Sequence, residues 1–230
     1  MEGRASRPVL QEQSETRGAG SLQLIPMLQL PKLYPILDPA CFSDAPGMFA
    51  AAEELAAAGC TLLQYRDKHG NARQMLAEAR ELRARLGTSV KLIMNDRAEL
   101  CLLAQYDGLH VGQDDLPAES ARLIIGAVRW LGVSTHNPEQ LAEADKTSAD
   151  YLAIGPIFAT ASKANPDPVI GLEGVRRARE LTRKPLVAIG GITRANARSV
   201  IEAGADALAV ISDLLRAPGK SAEEFLRVLG

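Results

Sequence analysis

The chain has 230 residues, enough for one large α/β domain or for two small domains. Hydrophobic residues make up 47% of it and aromatic residues only 4%, which favours an aliphatic core such as that of parallel sheets covered by helices. The formal charge of −2 provides no overall basic field, so we expect no nucleic-acid partner. No apolar run approaches the ~20 residues that cross a bilayer, so we expect no membrane partner either.

The amino-terminal segment and the cysteines suggest a cytoplasmic protein. Residues 22–30 are interrupted by Gln and Pro and make a poor signal-peptide core, so residues 1–30 are predicted to be a flexible extension before a single domain at residues 31–230. Cys41, Cys60 and Cys101 are odd in number and lack metal-type spacing, as expected of reduced thiols. The sequence leaves the oligomeric state open, a homo-oligomer included.

Strand-like and helix-like segments alternate from Leu33 onward. The predicted strands are Leu33–Asp38, Thr61–Asp67, Val90–Asp96, Gly108–Gly112, Trp130–Thr135, Tyr151–Phe158, Pro185–Ile192 and Ala207–Ser212. The predicted helices are Pro46–Ala58, Ala72–Leu86, Arg97–Gln105, Ala118–Ile125, Pro138–Lys146, Leu172–Thr182, Arg194–Ala203 and Ser221–Leu229. Eight such units favour a closed (β/α)₈ TIM barrel over the alternative, an open doubly wound sheet. Chemistry in such a barrel lies where the strands end.

The second predicted strand ends in a row of polar and cationic side chains. Alternate residues of a strand share a face, so Gln64, Arg66 and Lys68 are expected to point the same way. An amide, a guanidinium and an ammonium group on one face suit a polar, anionic ligand. The alternative interpretation is the solvated end of an ordinary strand.

Carboxylates follow the third and fourth strands. Asp96 follows Asn95 directly, and Asp115 lies in the turn after the fourth strand. Neighbouring strands of a barrel would bring the two carboxylates together, where Mg²⁺ could relieve their repulsion. Helix capping is the alternative for each Asp. His110, within the fourth strand, is expected to be a packed residue.

The fifth and sixth strands lead into hydroxyl and basic groups. Ser134 could donate to an anion, and His136 could perform acid–base chemistry or simply cap a helix. Thr160, Ser162 and Lys163 suit a phosphate, and the long loop that contains them is typical of a ligand lid, with a polar surface loop as the alternative.

The seventh and eighth strands end in small residues. Gly190 and Gly191 would let the backbone approach an anion, and the sequence predicts that a helix starts directly after them. Ile211 and Ser212 end the eighth strand. Barrel enzymes often bind phosphate between these two loops.

Seven of these motifs, in this order, resemble the thiamine-phosphate synthase family from about Leu33 to the carboxyl terminus. They are Gln64-x-Arg66-x-Lys68, Asn95-Asp96, Gly112-x-x-Asp115, Gly132-x-Ser134-x-His136, Gly155-Pro-Ile-Phe-x-Thr160-x-Ser162-Lys163, Ile189-Gly-Gly-Ile192 and Ile211-Ser212. The resemblance implies the condensation of 4-amino-5-hydroxymethyl-2-methylpyrimidine diphosphate with 4-methyl-5-(2-phosphooxyethyl)thiazole, with release of diphosphate. It also implies a dissociative path, in which diphosphate leaves before the thiazole nitrogen attacks.

The resemblance also assigns roles to residues of this chain. It implies Mg²⁺ as cofactor, with Asp96 and Asp115 as ligands. It implies catalytic roles for Arg66, Lys68, Ser134 and Lys163. The implied substrate-binding residues are Gln64, Tyr65, Arg66, Asp67, Lys68, Asn95, Ser134, Thr160, Ala161, Ser162, Lys163, Gly191, Ile211 and Ser212. Two alternatives stay open: a thiazole tautomerase of the same fold, for which His136 would serve, and a non-catalytic sensor of phosphate ligands.

Overall fold

The computed structural model describes residues 28–160 and 167–230, and within these ranges eight parallel strands form a closed barrel in chain order. The strands are β1 (Leu33–Leu37), β2 (Leu62–Tyr65), β3 (Lys91–Asn95), β4 (Gly108–Val111), β5 (Trp130–Thr135), β6 (Tyr151–Ile154), β7 (Leu186–Ile189) and β8 (Ala207–Val210). β8 closes the barrel on β1, with Leu33 opposite Leu208. The predicted (β/α)₈ barrel is therefore confirmed, and the open sheet was the wrong alternative.

Helices cover the outside of the barrel. Those in the described ranges are α1 (Ala45–Ala57), α2 (Ala72–Leu86), α3 (Ala98–Leu103), α4 (Ala118–Ile125), α5 (Pro138–Asp145), α6 (Gly171–Leu181), α7 (Ala197–Glu202), α8 (Ser212–Leu215) and α9 (Pro218–Leu229). The short α8 was not predicted, and most strands end earlier than predicted. The polar residues after the strands therefore lie mainly in loops.

The sheet separates two apolar layers. Side chains such as Leu63 pack between the strands and the helices, whereas Leu62 and Ile93 belong to a smaller cluster inside the barrel. Leu28 and Leu30 precede β1 and pack against this inner cluster. Both layers are built by the simple alternation of residues along each strand.

The amino-terminal prediction lies mostly outside the described residues, which begin at Leu28. Within the described ranges, no helix combines the length and the apolar character that a bilayer span requires.

An Arg–Asp pair links neighbouring strands at the amino-terminal end of the barrel. Asp107, directly before β4, accepts a hydrogen bond from the backbone N–H of Leu92 in β3 at 2.9 Å and another from Arg83 of α2 at 2.5 Å. Arg83 also donates to the carbonyl oxygen of Gly87 after its own helix, at 2.7 Å. We call this arrangement an Arg–Asp clamp. It recurs elsewhere in the described ranges, with Arg122, Asp150 and Leu131 and with Arg179, Asp206 and Leu186.

Candidate active site

A cavity of about 520 Å³ opens at the carboxyl-terminal end of the barrel. Residues that follow the strands line it, among them Arg66 after β2, Asp96 after β3 and Gly191 after β7. The functional sites of barrel enzymes lie at this end, because the loops there can vary without disturbing the sheet.

Gln64, Arg66 and Lys68 all line this cavity. Because β2 ends at Tyr65, Arg66 and Lys68 belong to the loop, although the Arg66 N–H still donates to the carbonyl oxygen of Leu37 in β1 at 2.9 Å. The Arg66 guanidinium donates to Asp38 at 2.5 Å. The other carboxylate oxygen of Asp38 accepts from the Ala40 N–H at 3.0 Å and so begins a short 3-10 helix at Pro39–Cys41. Asp38 thus fixes the guanidinium from outside the cavity, a role that was not predicted for it from the sequence.

Lys68 lies between the two predicted metal-ligating carboxylates. Its ammonium group contacts the carboxylate of Asp96 and lies 3.8 Å from Oδ2 of Asp115. Oδ2 of Asp115 also accepts from the Gly112 N–H at 2.8 Å. One lysine therefore faces two carboxylates.

The two carboxyl groups share this limited positive charge unequally. Burial, and next the contact with Asp115, raise the pKa of Asp96 to about 6, against the opposing effect of Lys68. Burial alone would also raise the pKa of Asp115, but its bonds to Asp96 and to the Gly112 N–H lower it below the usual value. A carboxyl whose pKa is raised by a like charge is a typical feature of a site that receives additional positive charge.

Asp96 itself adopts an uncommon backbone conformation. Its φ of 59° lies in the left-handed region, which a non-glycine residue enters at a cost of about 1–2 kcal/mol. Its N–H donates to the carbonyl oxygen of His110 at 2.8 Å, which ties the turn after β3 to β4. The sheet therefore holds a strained residue whose carboxylate lines the cavity.

The donor set of this site suits Mg²⁺. Within the described ranges, no group of three or more His, Cys, Asp or Glu side chains could hold a metal ion. Mg²⁺ commonly takes only one or two carboxylates and completes its shell with water and substrate phosphate oxygens. Asp96 and Asp115 match that requirement.

The floor of the cavity is a continuous network of polar side chains. Gln64 Nε2 donates to the Tyr34 hydroxyl at 2.9 Å, and the hydroxyls of Tyr34 and Tyr151 lie 3.0 Å apart. Tyr151 is 3.1 Å from Nδ1 of His110, and Nε2 of His110 is 2.8 Å from the Ser134 hydroxyl. We call these five side chains the floor network. Burial lowers the pKa of His110 to about 4, so the ring is neutral near neutral pH.

Asn95 adds an available donor beside this floor. It lines the cavity and is only 6% exposed, and its Nδ2 has no hydrogen-bond partner in the described part of the chain. Because proteins rarely leave a buried donor unpaired, this amide is suited to a ligand.

The opposite wall is formed by the loops after β7 and β8. Gly191, Ile211 and Ser212 line the cavity there. The helix predicted at Arg194–Ala203 is present as α7, but it begins later than predicted, at Ala197, so it does not follow the glycines directly. Gly191 has a φ of 63°, and a Cβ on it would lie 2.6 Å from the carbonyl oxygen of Ala159. The glycine therefore allows close packing against the loop after β6.

Ser212 stands at the start of the short helix α8, which follows β8 directly. A phosphate site between the last two loops and a short extra helix is a recurrent feature of this fold. Thr160, at the end of the described part of the preceding loop, also lines the cavity.

His136 lies at the cavity wall after β5. Its Nδ1 is 2.7 Å from the carbonyl oxygen of Gly155 and 3.4 Å from the carboxylate of Asp167. The backbone N–H of His136 donates to the side-chain Oε1 of Gln140 at 2.7 Å. The ring thus connects the loops after β5 and β6.

Two predicted substrate-binding residues do not line the cavity. The Tyr65 side chain is on the outer face of β2, where its hydroxyl donates to Glu78 at 2.7 Å. The Asp67 carboxylate accepts from the N–H groups of His69 and Gly70 and so stabilises its own turn. The strand alternation that brings Gln64 inward turns Tyr65 outward. The predicted residues Ala161, Ser162 and Lys163 lie outside the described residues.

The prediction also missed Tyr34 and Tyr151 in the floor network. An aromatic residue inside a barrel strand usually indicates core packing, and no local pattern distinguishes these two tyrosines. Only the pairing of β1 with β2, and of β5 with both β4 and β6, places their hydroxyls near Gln64 and His110.

Comparison with known proteins finds a matching family model and similar sequences. The family model described as thiamine monophosphate synthase matches residues 33–214. A thiamine-phosphate synthase of Koribacter versatilis is 58% identical over 205 residues, covering 88% of this chain and 97% of that protein. Another from Chloroflexus aurantiacus is 46% identical, covering 81% of this chain and 86% of that protein.

A solved structure gives the same result. The thiamine phosphate pyrophosphorylase of Pyrococcus furiosus superposes with a TM-score of 0.76 at 34% identity, covering 86% of this chain and 95% of that one. The motifs, the barrel and these relatives agree, and the chain belongs to the thiamine monophosphate synthase family.

Proposed function

We propose that this chain is a thiamine-phosphate synthase, an enzyme that joins the pyrimidine diphosphate to the thiazole phosphate and releases diphosphate. One observation carries the proposal: a single cavity has a charged wall with Arg66, Lys68 and two carboxylates, and an opposite wall of small residues and a hydroxyl. A reaction between one diphosphate and one monophosphate needs two such anion sites. Family membership supports the assignment.

The charged wall suits the diphosphate leaving group. Arg66 is held by Asp38, so its remaining N–H groups can face an anion without reorganisation. Lys68 contributes a mobile positive charge, and the buried amide of Asn95 contributes a donor. We assign Lys163 to the same diphosphate site by resemblance alone. In a dissociative path, these groups stabilise the charge that develops as the diphosphate departs.

We assign a Mg²⁺ site to Asp96 and Asp115. The raised pKa of Asp96 supports it, because a divalent cation would offset both the burial and the contact with Asp115 that favour the protonated form. Bound there, Mg²⁺ would neutralise negative charge on the departing diphosphate. Lys68 would then be displaced from Asp96 and become available to the substrate.

The wall after β7 and β8 suits the thiazole phosphate. Gly191 exposes backbone at the cavity, and Ser212 offers a hydroxyl at the start of α8. We extend this subsite to Ile211 and Thr160, which also line the cavity, and to Ala161 and Ser162 by resemblance. The two subsites would hold the thiazole nitrogen close to the pyrimidine methylene carbon, which is the contribution of positioning to the rate.

The proposed path requires no nucleophile and no general base on the protein. A thiazole tautomerase would need a histidine in acid–base contact with its substrate. His136 Nδ1 is instead within hydrogen-bond distance of the Gly155 carbonyl oxygen, and a tautomerase has no use for Arg66, Asp96 and Asp115. These contacts favour the synthase over the tautomerase, and a sensor needs no leaving-group site.

We further infer that the enzyme is cytoplasmic and that its partners are these small molecules. The buried thiols of Cys60 and Cys101 support a reducing compartment.

The test mixes both substrates with purified protein, with and without Mg²⁺, and measures thiamine phosphate by chromatography. We expect product only with Mg²⁺ and near-complete loss of turnover in Asp96→Asn. Asp114→Asn is the matched control, because Asp114 also lines the cavity but is exposed and is not an assigned ligand. Full activity of Asp96→Asn would contradict the metal assignment, and absence of product from the unmodified protein would contradict the proposed reaction.

A further inference from the structure

We infer that the floor network carries hydrogen bonds in one fixed direction, so that the proton of the Ser134 hydroxyl is free to be donated to the substrate. Tyr34, Tyr151 and His110 are then positioning residues that act through Ser134. The inference rests on the proposed function and refines it, because it states which hydrogen-bonding role the protein gives to one substrate-contacting hydroxyl.

The direction starts at Gln64. Its Nε2 donates to the Tyr34 oxygen at 2.9 Å, so the Tyr34 proton needs a different acceptor. In the described part of the chain, the other hydrogen-bond partner of the Tyr34 hydroxyl is the Tyr151 oxygen, 3.0 Å away. Both tyrosines are almost fully buried. Tyr34 therefore donates to Tyr151.

The direction continues through the imidazole. The Tyr151 proton is directed at Nδ1 of His110, 3.1 Å away, so this nitrogen must be the acceptor. A neutral ring then carries its hydrogen on Nε2, which donates to the Ser134 oxygen at 2.8 Å. A charged ring would donate from both nitrogens, so Tyr151 would have to donate to Tyr34, and the Tyr34 proton would have no acceptor in the described part of the chain. The Ser134 proton is left for the cavity.

The opposite direction is less favourable. If Ser134 donated to Nε2, His110 would donate to Tyr151, and Tyr151 would donate to Tyr34. The Tyr34 oxygen would then accept twice, and its own proton would have no acceptor in the described part of the chain. Buried donors without a partner are rare in folded proteins, so this arrangement is disfavoured.

A glycine makes the central contact of the network geometrically feasible. His110 of β4 and Tyr151 of β6 both pair with Gly132 of β5, which lies between them in the sheet. A Cβ on Gly132 would lie 2.1 Å from Cζ of Tyr151 and 2.4 Å from Nδ1 of His110. Any other residue there would displace the two rings. Side chains from strands that are not neighbours can therefore meet across the glycine.

A donating Ser134 has a chemical consequence. Its proton is available to an acceptor atom of the substrate, such as a diphosphate oxygen or a ring nitrogen, before the substrate arrives. A serine free to rotate would have to be oriented during binding. Fixing the donor in advance is the kind of preorganisation that favours charge development in a transition state.

The first experiment reads the direction itself in the full-length protein. Long-range ¹H–¹⁵N correlation spectra of ¹⁵N-histidine-labelled protein distinguish the two neutral tautomers, and the His110 signals are those lost in His110→Gln. We expect a single tautomer with the hydrogen on Nε2. We expect a mixture in Tyr151→Phe, since both tautomers then leave Nδ1 without a partner. A hydrogen on Nδ1, or a charged ring near neutral pH, in the unmodified protein would overturn the inference.

The second experiment asks whether Tyr151 acts through Ser134. We expect Tyr151→Phe to lower kcat/KM about tenfold in the normal background but less than about twofold in Ser134→Ala, a coupling typical of residues in one network. Tyr106→Phe is the matched control and should change nothing, because its buried hydroxyl has no partner in the described ranges. The same loss in both backgrounds would show a purely structural role and overturn the inference. An inactive unmodified protein would defeat the proposed function, while the tautomer measurement would still decide the direction.

Discussion

Removing Asp107 should destabilise the barrel without affecting its chemistry. Its carboxylate accepts from the Leu92 N–H at 2.9 Å, from Arg83 at 2.5 Å and from Lys91 at 2.9 Å. In Asp107→Ala the Leu92 N–H, at the start of a buried strand, loses its partner at a cost of about 1–3 kcal/mol. The partly exposed ion pairs with Arg83 and Lys91 add about 1 kcal/mol more. We therefore expect the free energy of unfolding to fall by about 2–4 kcal/mol.

The three Arg–Asp clamps should differ in a definite order. The aspartate side chain is 22% exposed at Asp107, 38% at Asp150 and 48% at Asp206. Water can replace the lost carboxylate more easily where the site is more exposed. The destabilisation by alanine should therefore decrease from Asp107 to Asp150 to Asp206.

Thermal denaturation followed by circular dichroism measures this series. For a domain of this size, the loss in Asp107→Ala corresponds to a decrease in Tm of roughly 5–15 °C. Glu180→Ala, an exposed carboxylate on α6, is the control and should leave Tm unchanged. The value of kcat/KM at room temperature should also be unchanged, because the clamps lie at the end of the barrel opposite to the cavity. An unaltered Tm in Asp107→Ala, or a reversed order, would refute the reasoning.

Three further predictions use other features of the structure. Burial alone would raise the pKa of Asp107, but its donors outweigh burial and hold it below the usual value, so its stabilisation is present above about pH 4 and is lost as the pH falls through the lowered pKa. Asp107→Asn should therefore weaken the acid dependence of urea unfolding; an unchanged dependence would contradict this. Asp38→Asn should raise the KM for the pyrimidine diphosphate several-fold without altering that for the thiazole phosphate, because only Arg66 loses its partner; equal changes in steady-state kinetics would count against it. Gly191→Ala should reduce turnover and lower Tm by more than Gly126→Ala, which shares the positive φ but has open space around it, and equal losses would show that close packing at Gly191 is unimportant.

The sequence was sufficient for the barrel because each strand carries its own local signal. Strands with both faces buried read as short apolar runs, and helices between them read as amphipathic stretches, several of which end in glycine. The predicted carboxyl-terminal ends of the strands were less accurate. Residues such as Arg66 and Asp96 lie just beyond the observed strands but still donate their N–H groups to a neighbouring strand, so the predicted strands ran into the loops.

The residues of the charged cavity wall could also be predicted from the sequence, because charged side chains directly after apolar strands are easily recognised. The position of the Tyr65 side chain away from the cavity could have been foreseen, because alternation along β2 sends Gln64 and Tyr65 to opposite faces. The floor network could not be predicted from the sequence in this way. Its bonds join Tyr34 to Tyr151, residues separated by 117 positions, and such contacts exist only after the sheet has closed.

The two ends of the barrel therefore make opposite use of the same residue type. At the amino-terminal end, Asp107 receives several donors, and its pKa is lowered, so its charge stabilises the fold. At the carboxyl-terminal end, Asp96 has a left-handed backbone and a raised pKa beside Asp115, so its charge is costly in the absence of additional positive charge. A barrel secured at one end can hold unfavourable groups at the other, and a bound cation or substrate can relieve their repulsion. Substituting Asp96 should accordingly cost activity and little stability, whereas substituting Asp107 should cost stability and little activity.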